Sequence, residues 1–329
     1  MVARQFGPQA LDIDCTAETL RIGKWLVENV ARLGRRGVVV AISGGVDSSV
    51  CAALAARAFG RPRVLGLLLP ERDSSSSSAR LGRQVAERAG IDYLVEDIAP
   101  ALEAIGCYHR RDEAMRRLFP DYGPDWKSKI VIASSMGGKL HYFKLVVQAP
   151  GGPLQEKRLP LKEYLEIVAA TSFKQRIRKT LEYFHADRLN YAVIGTPNRL
   201  EYDQGFFVKN GDGSADAKPI AHLYKTQVYA LARYLEIPDE ICRARPTTDT
   251  YSMPQGQDEF YFALPYEKMD VALWGYNHGV PAVELAKHTG LSEEQARAVY
   301  TDIETKRRTT AYLHERPLLV ESVALEQGR

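Results

Sequence analysis

Seven consecutive residues, Ser43-Gly44-Gly45-Val46-Asp47-Ser48-Ser49, have the make-up of a phosphate trap. Two glycines let backbone N–H groups approach an anion closely, and the N-terminus of a following helix adds further donors. Ser43, Ser48 and Ser49 can add hydroxyl donors. Asp47 is the odd member. A carboxylate beside bound phosphates repels them unless a divalent cation lies between, so Asp47 implies Mg2+. The lysine-bearing phosphate loop GxxxxGK[ST] is absent, so the loop grips its phosphates in another way.

The flanking residues place this loop. Residues 37–42 (GVVVAI) form a short β-branched run and read as a buried parallel strand. From Ser48 the Ala-rich SSVCAALAARAF predicts a helix. Residues 63–70 (RVLGLLLP) read as a second strand. The serine run 74–78 then caps a helix that ends at Gly90, and 92–98 is a third strand. Strands alternating with helices predict a doubly wound parallel sheet. The rhythm breaks near Cys107. Residues 120–126 are loop material, and 129–136 and 140–148 are β-type runs around a Gly137-Gly138 turn. Residues 107–162 are therefore expected to form a β-rich insertion within a single domain spanning 1–329. A long helix over 161–189, a strand over 191–196 and a helix over 223–235 follow, with a loop around Gly205, Gly211 and Gly213 between the last two. From Tyr266 onward the chain reads as helical, with a helix start at Ser292.

Composition narrows the function classes. With 45% hydrophobic and 26% charged residues the chain is an ordinary globular protein. A net charge of +3 lacks the basic excess of a nucleic-acid binder, so no nucleic-acid partner is expected. The basic clusters Arg110-Arg111 and Lys306-Arg307-Arg308 read as solvated faces, with contact to phosphate-rich ligands as the alternative. No run of about 18 apolar residues is present, so no membrane span is expected, and no secretory signal is evident. Cys15, Cys51, Cys107 and Cys242 lie far apart without a CxxC pair. That speaks against a thiol relay or a Cys-rich zinc site and fits a reduced cytoplasm.

The loop resembles the signature of the PP-loop ATP pyrophosphatases, whose fold is of the adenine nucleotide alpha hydrolase type. In that family ATP is cut between its α and β phosphates. The second half narrows the resemblance. FKQRIRK, VIGTPNRLE, GFFVKNGDGSADAKPI, LYKTQVYALARYL and RPTTD, within 173–246, are similar to the NAD synthase family, the ammonia-dependent type. The resemblance covers residues 17–106 and 165–310. No glutaminase domain fits ahead of Gly37.

The resemblance implies an AMP-forming carbon–nitrogen ligase that converts deamido-NAD, ATP and ammonia into NAD, AMP and pyrophosphate. It implies Mg2+ on Asp47 and Glu201, and ATP on Ser43, Gly44, Gly45, Asp47, Ser48, Ser49, Thr196, Lys225 and Thr247. Asp47 and Lys225 would be the catalytic pair. It implies the dinucleotide acceptor on Arg176, Lys209, Asp216, Thr305 and Lys306, and a homodimer. Three departures leave the acceptor open. The insertion is large, Thr305-Lys306 stands where the family usually has His-Lys, and 250–262 is rich in aromatics and glutamine. Two alternatives therefore stand beside the first reading. One is a diverged amide ligase of the same fold acting on another carboxylate. The other is a non-catalytic nucleotide-binding protein.

Overall fold

The computed structural model describes residues 6–134, 141–247, 251–257, 261–262 and 264–323. In chain order the elements are α1 (Cys15–Arg32), β1 (Val38–Ala41), α2 (Val46–Phe59), β2 (Val64–Leu68), α3 (Ser76–Ala89), β3 (Asp92–Val95), α4 (Ala99–Ala104) and α5 (Cys107–Arg116). The antiparallel strands β4 (Lys127–Ser134), β5 (His141–Gln148) and β6 (Leu154–Arg158) follow, then α6 (Leu161–Leu189), β7 (Ala192–Ile194), α7 (Arg199–Gln204), α8 (Lys225–Tyr234) and α9 (Asp239–Arg243). The helices α10 (Tyr266–Asn277), α11 (Ala282–Thr289) and α12 (Glu293–His314) complete the described chain.

The main sheet is parallel, in the order β3-β2-β1-β7. Successive side chains of β1 point to opposite faces. Val38 and Val40 join a core with α1, α2, α3 and α8, whereas Val39 joins a second core with α4, α5 and α6. Both faces are covered, which is why β1 is a continuous apolar run rather than an alternating one. The chain steps outward from β1 to β2 and β3, then returns to β1's other edge as β7. That reversal creates a crevice outside the C-terminal ends of β1 and β7, where open α/β sheets bind ligands.

The expected helix over 161–189 is found as α6 with those bounds. Asn190, in the left-handed conformation at φ 55°, ends it. α1 was not anticipated, although Asp14 caps it by accepting from Thr16 N and Ala17 N and it buries Ile22, Leu26 and Val30. The stretch after Cys107 departs from the β-rich expectation. Residues Cys107–Arg116 are helical, and strand structure begins only at Lys127. Arg111 and Asp112 are buried in this helix, Arg111 against Asp73 and Asp112, so Arg111 is no solvated surface residue. The sheet β4-β5-β6 has its own core of Ile130, Leu145 and Val147, packed with Met115 of α5 and Ile167 of α6. The Gly137-Gly138 turn lies outside the described residues. Among the described residues no helix is long and apolar enough to cross a membrane.

Candidate active site

The phosphate loop leaves the C-terminal end of β1 and enters α2 at Val46. Gly44 has φ 83°, and a Cβ there would lie 2.7 Å from the Ser78 carbonyl oxygen, so backbone conformation and α3 both demand glycine. The Ser48 hydroxyl accepts from Ser43 N at 3.2 Å and donates to the Gly45 carbonyl at 3.0 Å, which closes the loop on itself. Ser49 does not reach the cleft. It is fully buried and donates to the Gly45 carbonyl at 2.8 Å, so its role is to brace the loop and not to touch a ligand.

The starts of α7 and α8 converge on Asp47. Lys225, the first residue of α8, is buried and its ammonium donates to Asp47 Oδ2. Asn198 Nδ2 donates to Asp47 Oδ1 at 3.1 Å, while Asn198 Oδ1 accepts from Glu201 N at 3.2 Å. This capping box at the start of α7 aims the Glu201 carboxylate at the same place. Gln257 Nε2 then donates to Glu201 Oε1 at 2.9 Å. Removal from solvent and the neighbouring Asp47 charge push the Glu201 carboxyl up to about 7, against the pull of Lys225. Burial alone would lower the Lys225 ammonium, but Asp47 and Glu201 outweigh it and raise the group, so it stays charged. A lysine at a helix N-terminus faces an unfavourable dipole. Asp270 of α10 offsets this by accepting from Lys225 N at 3.2 Å and Thr226 N at 2.7 Å.

The surrounding cleft encloses about 1370 Å³. Ser43, Gly44, Gly45, Asp47, Ser48, Thr196, Glu201, Lys225 and Thr247 all line it, so the fold gathers the ATP-side expectations apart from Ser49. Thr305 and Lys306 also line it. Lys306 is engaged, donating to Asp302 Oδ2 and to the Tyr261 carbonyl, both at 2.6 Å. Arg176, Lys209 and Asp216 do not line it. Arg176 Nε donates to the Lys209 carbonyl at 3.3 Å. Lys209 Nζ donates to the Tyr312 carbonyl at 2.6 Å and caps the end of α12. Asp216 Oδ2 accepts from Val193 N at 2.7 Å beside β7. Each cation or carboxylate has found a backbone partner away from the cleft. Lys174 is drawn inward in the same way, to Glu71 Oε1 at 2.9 Å and Asp73 Oδ2 at 2.7 Å, anchoring the loop after β2.

Sequence reasoning missed Asn198, Gln257 and Asp270. Only Asn198 carried a signal, the Asn-x-x-Glu spacing of a capping box.

A lysine-free phosphate loop at a topological switch point, faced by two half-buried carboxylates and a buried lysine, defines a nucleotide-binding α/β enzyme of the PP-loop class. The family model for NAD synthase matches residues 18–118 and 145–311, and the chain belongs to that family. It is 58% identical to an NH3-dependent NAD+ synthetase of Mesorhizobium japonicum over 94% of this chain and 98% of the relative. A protein of the same description from Rhizobium meliloti is 56% identical over 97% and 96%, and one from Thermotoga maritima is 36% identical over 84% and 89%. The fold resembles the solved NH3-dependent NAD synthetase of Campylobacter jejuni, with TM-score 0.61 and 21% identity over 94% of this chain and all of that one.

Proposed function

We infer that this chain is an AMP-forming carbon–nitrogen ligase that amidates deamido-NAD with ammonia. The convergence of Asp47, Glu201 and Lys225 beside the loop of Ser43 to Ser48 carries the reading, because it sets an ammonium, two carboxylates suited to a cation and backbone N–H groups where a triphosphate must be cleaved. Two neighbouring carboxylates, one of them Glu201 pushed up to about 7 by burial first and by the Asp47 charge second, fit a divalent cation. Asp47 and Glu201 would hold Mg2+, which when bound supplies neutralising charge to the phosphate oxygens.

In the first step an oxygen of the nicotinate carboxylate bonds to the α-phosphorus, and the bond to the bridging oxygen breaks, releasing pyrophosphate. Lys225 and the loop amides take up charge on the phosphates. In the second step ammonia bonds to the acyl carbon, the acyl–oxygen bond breaks, and AMP leaves with the electron pair while a proton is lost from nitrogen. No side-chain nucleophile is needed, so Ser43 and Ser48 serve as binding and bracing groups.

The reading is tested by incubating the chain with ATP, Mg2+, ammonium and deamido-NAD. NAD, AMP and pyrophosphate should form in equal amounts. ADP with orthophosphate as products would overturn it. AMP release with another carboxylate, and none with deamido-NAD, would favour the diverged ligase. The chain acts in the cytoplasm as a homodimer in this reading. Leu161, Leu165 and Phe184, exposed along α6, supply apolar surface for a second copy. Light scattering giving a monomer at micromolar concentration would count against the dimer.

A further inference from the structure

Strand β4 has a second partner besides β5. Its residues Ser128 and Ile130 are two apart, so they turn their backbone groups to the same edge. Residues 251–255 lie along that edge. Ser128 N donates to Ser252 Oγ at 2.9 Å, Met253 N donates to the Ser128 carbonyl at 3.2 Å, and Gln255 Nε2 donates to the Ile130 carbonyl. Tyr251 is buried in the same core as Ile130 and Leu145. An open sheet edge is a template for unwanted pairing, and covering it is one use of this arrangement.

The contacts also reach the phosphate site. Gly256 forms an antiparallel bridge with Thr247, and Gln257 N donates to the Pro246 carbonyl at 3.2 Å. Gln257 Nε2 donates to Glu201 Oε1 at 2.9 Å, and Thr247 lines the cleft with the phosphate loop. A path of contacts thus runs from β4 through Ser252 and Gln255 to Gln257, and ends on a carboxylate suited to a cation. Residues 251–255 belong to neither helix nor strand. Irregular segments of this kind open locally at small free-energy cost unless they are tied down. β4, Lys127–Ser134, lies between residues 118 and 145, which the family model leaves unmatched. The tie is therefore made to a part of the chain outside the family match.

We propose that Ser252 and Gln255 are positioning residues. By fastening their segment to the edge of β4 they hold Gln257 against Glu201, and so preorganise the site for the complex of ATP with its cation. The role rests on the amidation reading, which assigns Asp47 and Glu201 to the cation, and adds to it a task for the insertion. Fixing an irregular segment before the ligand arrives removes an ordering cost from binding.

The test measures the affinity of the full chain for the Mn2+ complex of α,β-methylene-ATP by water proton relaxation, which needs neither acceptor nor turnover. Ser252→Ala and Gln255→Leu should each weaken it about tenfold, the lower end for loss of a group that orients a metal ligand. Ser252→Thr keeps the hydroxyl and should restore the affinity. In a Gln257→Ala background the loss from Ser252→Ala should disappear, because residues that act through one link are not additive. A full tenfold loss in that background would show another route and overturn the proposal. Unchanged affinity with a lowered Tm would make the contacts structural alone and overturn it as well. The Ser252 variants carry the test if Gln255→Leu, which removes the donor to the Ile130 carbonyl, fails to fold. If the unaltered chain makes no NAD, yet binds the complex and loses it in the variants as stated, the amidation reading falls and the positioning role stands. Normal NAD formation with unchanged affinity in both variants overturns the positioning role alone.

Discussion

The ammonium of Lys225 donates to Asp47 Oδ2, joining the first residue of α8 to the phosphate loop across 178 positions of sequence. The pair keeps a buried cation beside the phosphates before any ligand arrives. It also shields Asp47 from Glu201, whose carboxyl is already pushed up to about 7 by its surroundings.

Lys225→Met removes that cation and little volume. The kcat should fall at least about 100-fold, as for loss of one donor to developing charge. Asp47 loses its partner but keeps some contact with solvent. The stability loss should therefore stay near about 3 kcal/mol, the lower end for breaking a buried pair. Product assays and a denaturant melt check both, and wild-type kcat would refute the catalytic role.

Gln257 touches neither phosphate loop nor Lys225 in the hydrogen bonds described, yet it holds Glu201 Oε1 at 2.9 Å. Loss of a partner that orients a metal-binding carboxylate typically weakens metal binding about 10- to 100-fold. Gln257→Ala should raise the Mg2+ concentration for half-maximal turnover by that factor, with kcat recovered at excess Mg2+. Binding of Mn2+ followed by paramagnetic relaxation gives a readout independent of turnover.

Gly44→Ala would put a Cβ on a residue at φ 83° and within 2.7 Å of the Ser78 carbonyl oxygen. The left-handed conformation alone costs about 1–2 kcal/mol, and the clash adds to it. The variant should melt lower and lose ATP binding by calorimetry. Unchanged ATP affinity would show that α3 can move aside.

Asp270 is fully buried, and burial pushes its carboxyl up to about 7, against the backbone N–H groups of Lys225 and Thr226. An unfolded aspartate titrates near about 3.9. The folded state thus holds the proton more tightly. Its stabilising contribution is complete below about pH 3.9, falls as pH rises, and is gone above about 7. Asp270→Asn removes this dependence. The Tm of the unaltered chain minus that of Asp270→Asn should therefore fall between pH 4 and pH 7, by about the window those two values define. A flat difference would contradict the shift.

Local signals were read well where one segment contains its own explanation. α6 follows Pro160 and stops at Asn190, and both ends were legible. α5 was not, because its buried face carries Arg111 and Asp112. Their burial is made possible by Asp73, nearly forty positions away, so the helical period is hidden from any local window. The aromatic-rich 250–262 stretch was noted, but residues 250 and 258–260 lie outside the described residues. Within it, Gln257 acquires a role only through Glu201.

The sequence by itself determined the phosphate loop, its strand and its helix, because glycine conformations, serine hydroxyls and the neighbouring apolar runs act within a few bonds of one another. Glu201, Thr196, Lys225 and Thr247 were grouped with Asp47 only through the resemblance to the NAD synthase family, and the fold lines one cleft with all five. Only the tertiary structure decided how a charge is spent. Lys225 meets Asp47, Lys306 meets Asp302, and Lys209 caps α12. Arg176 and Asp216 take backbone partners away from the cleft. Lysine, arginine and aspartate carry the same charge wherever they stand. What that charge does depends on which opposite group the fold brings within about 3 Å, and that partner is rarely close in sequence.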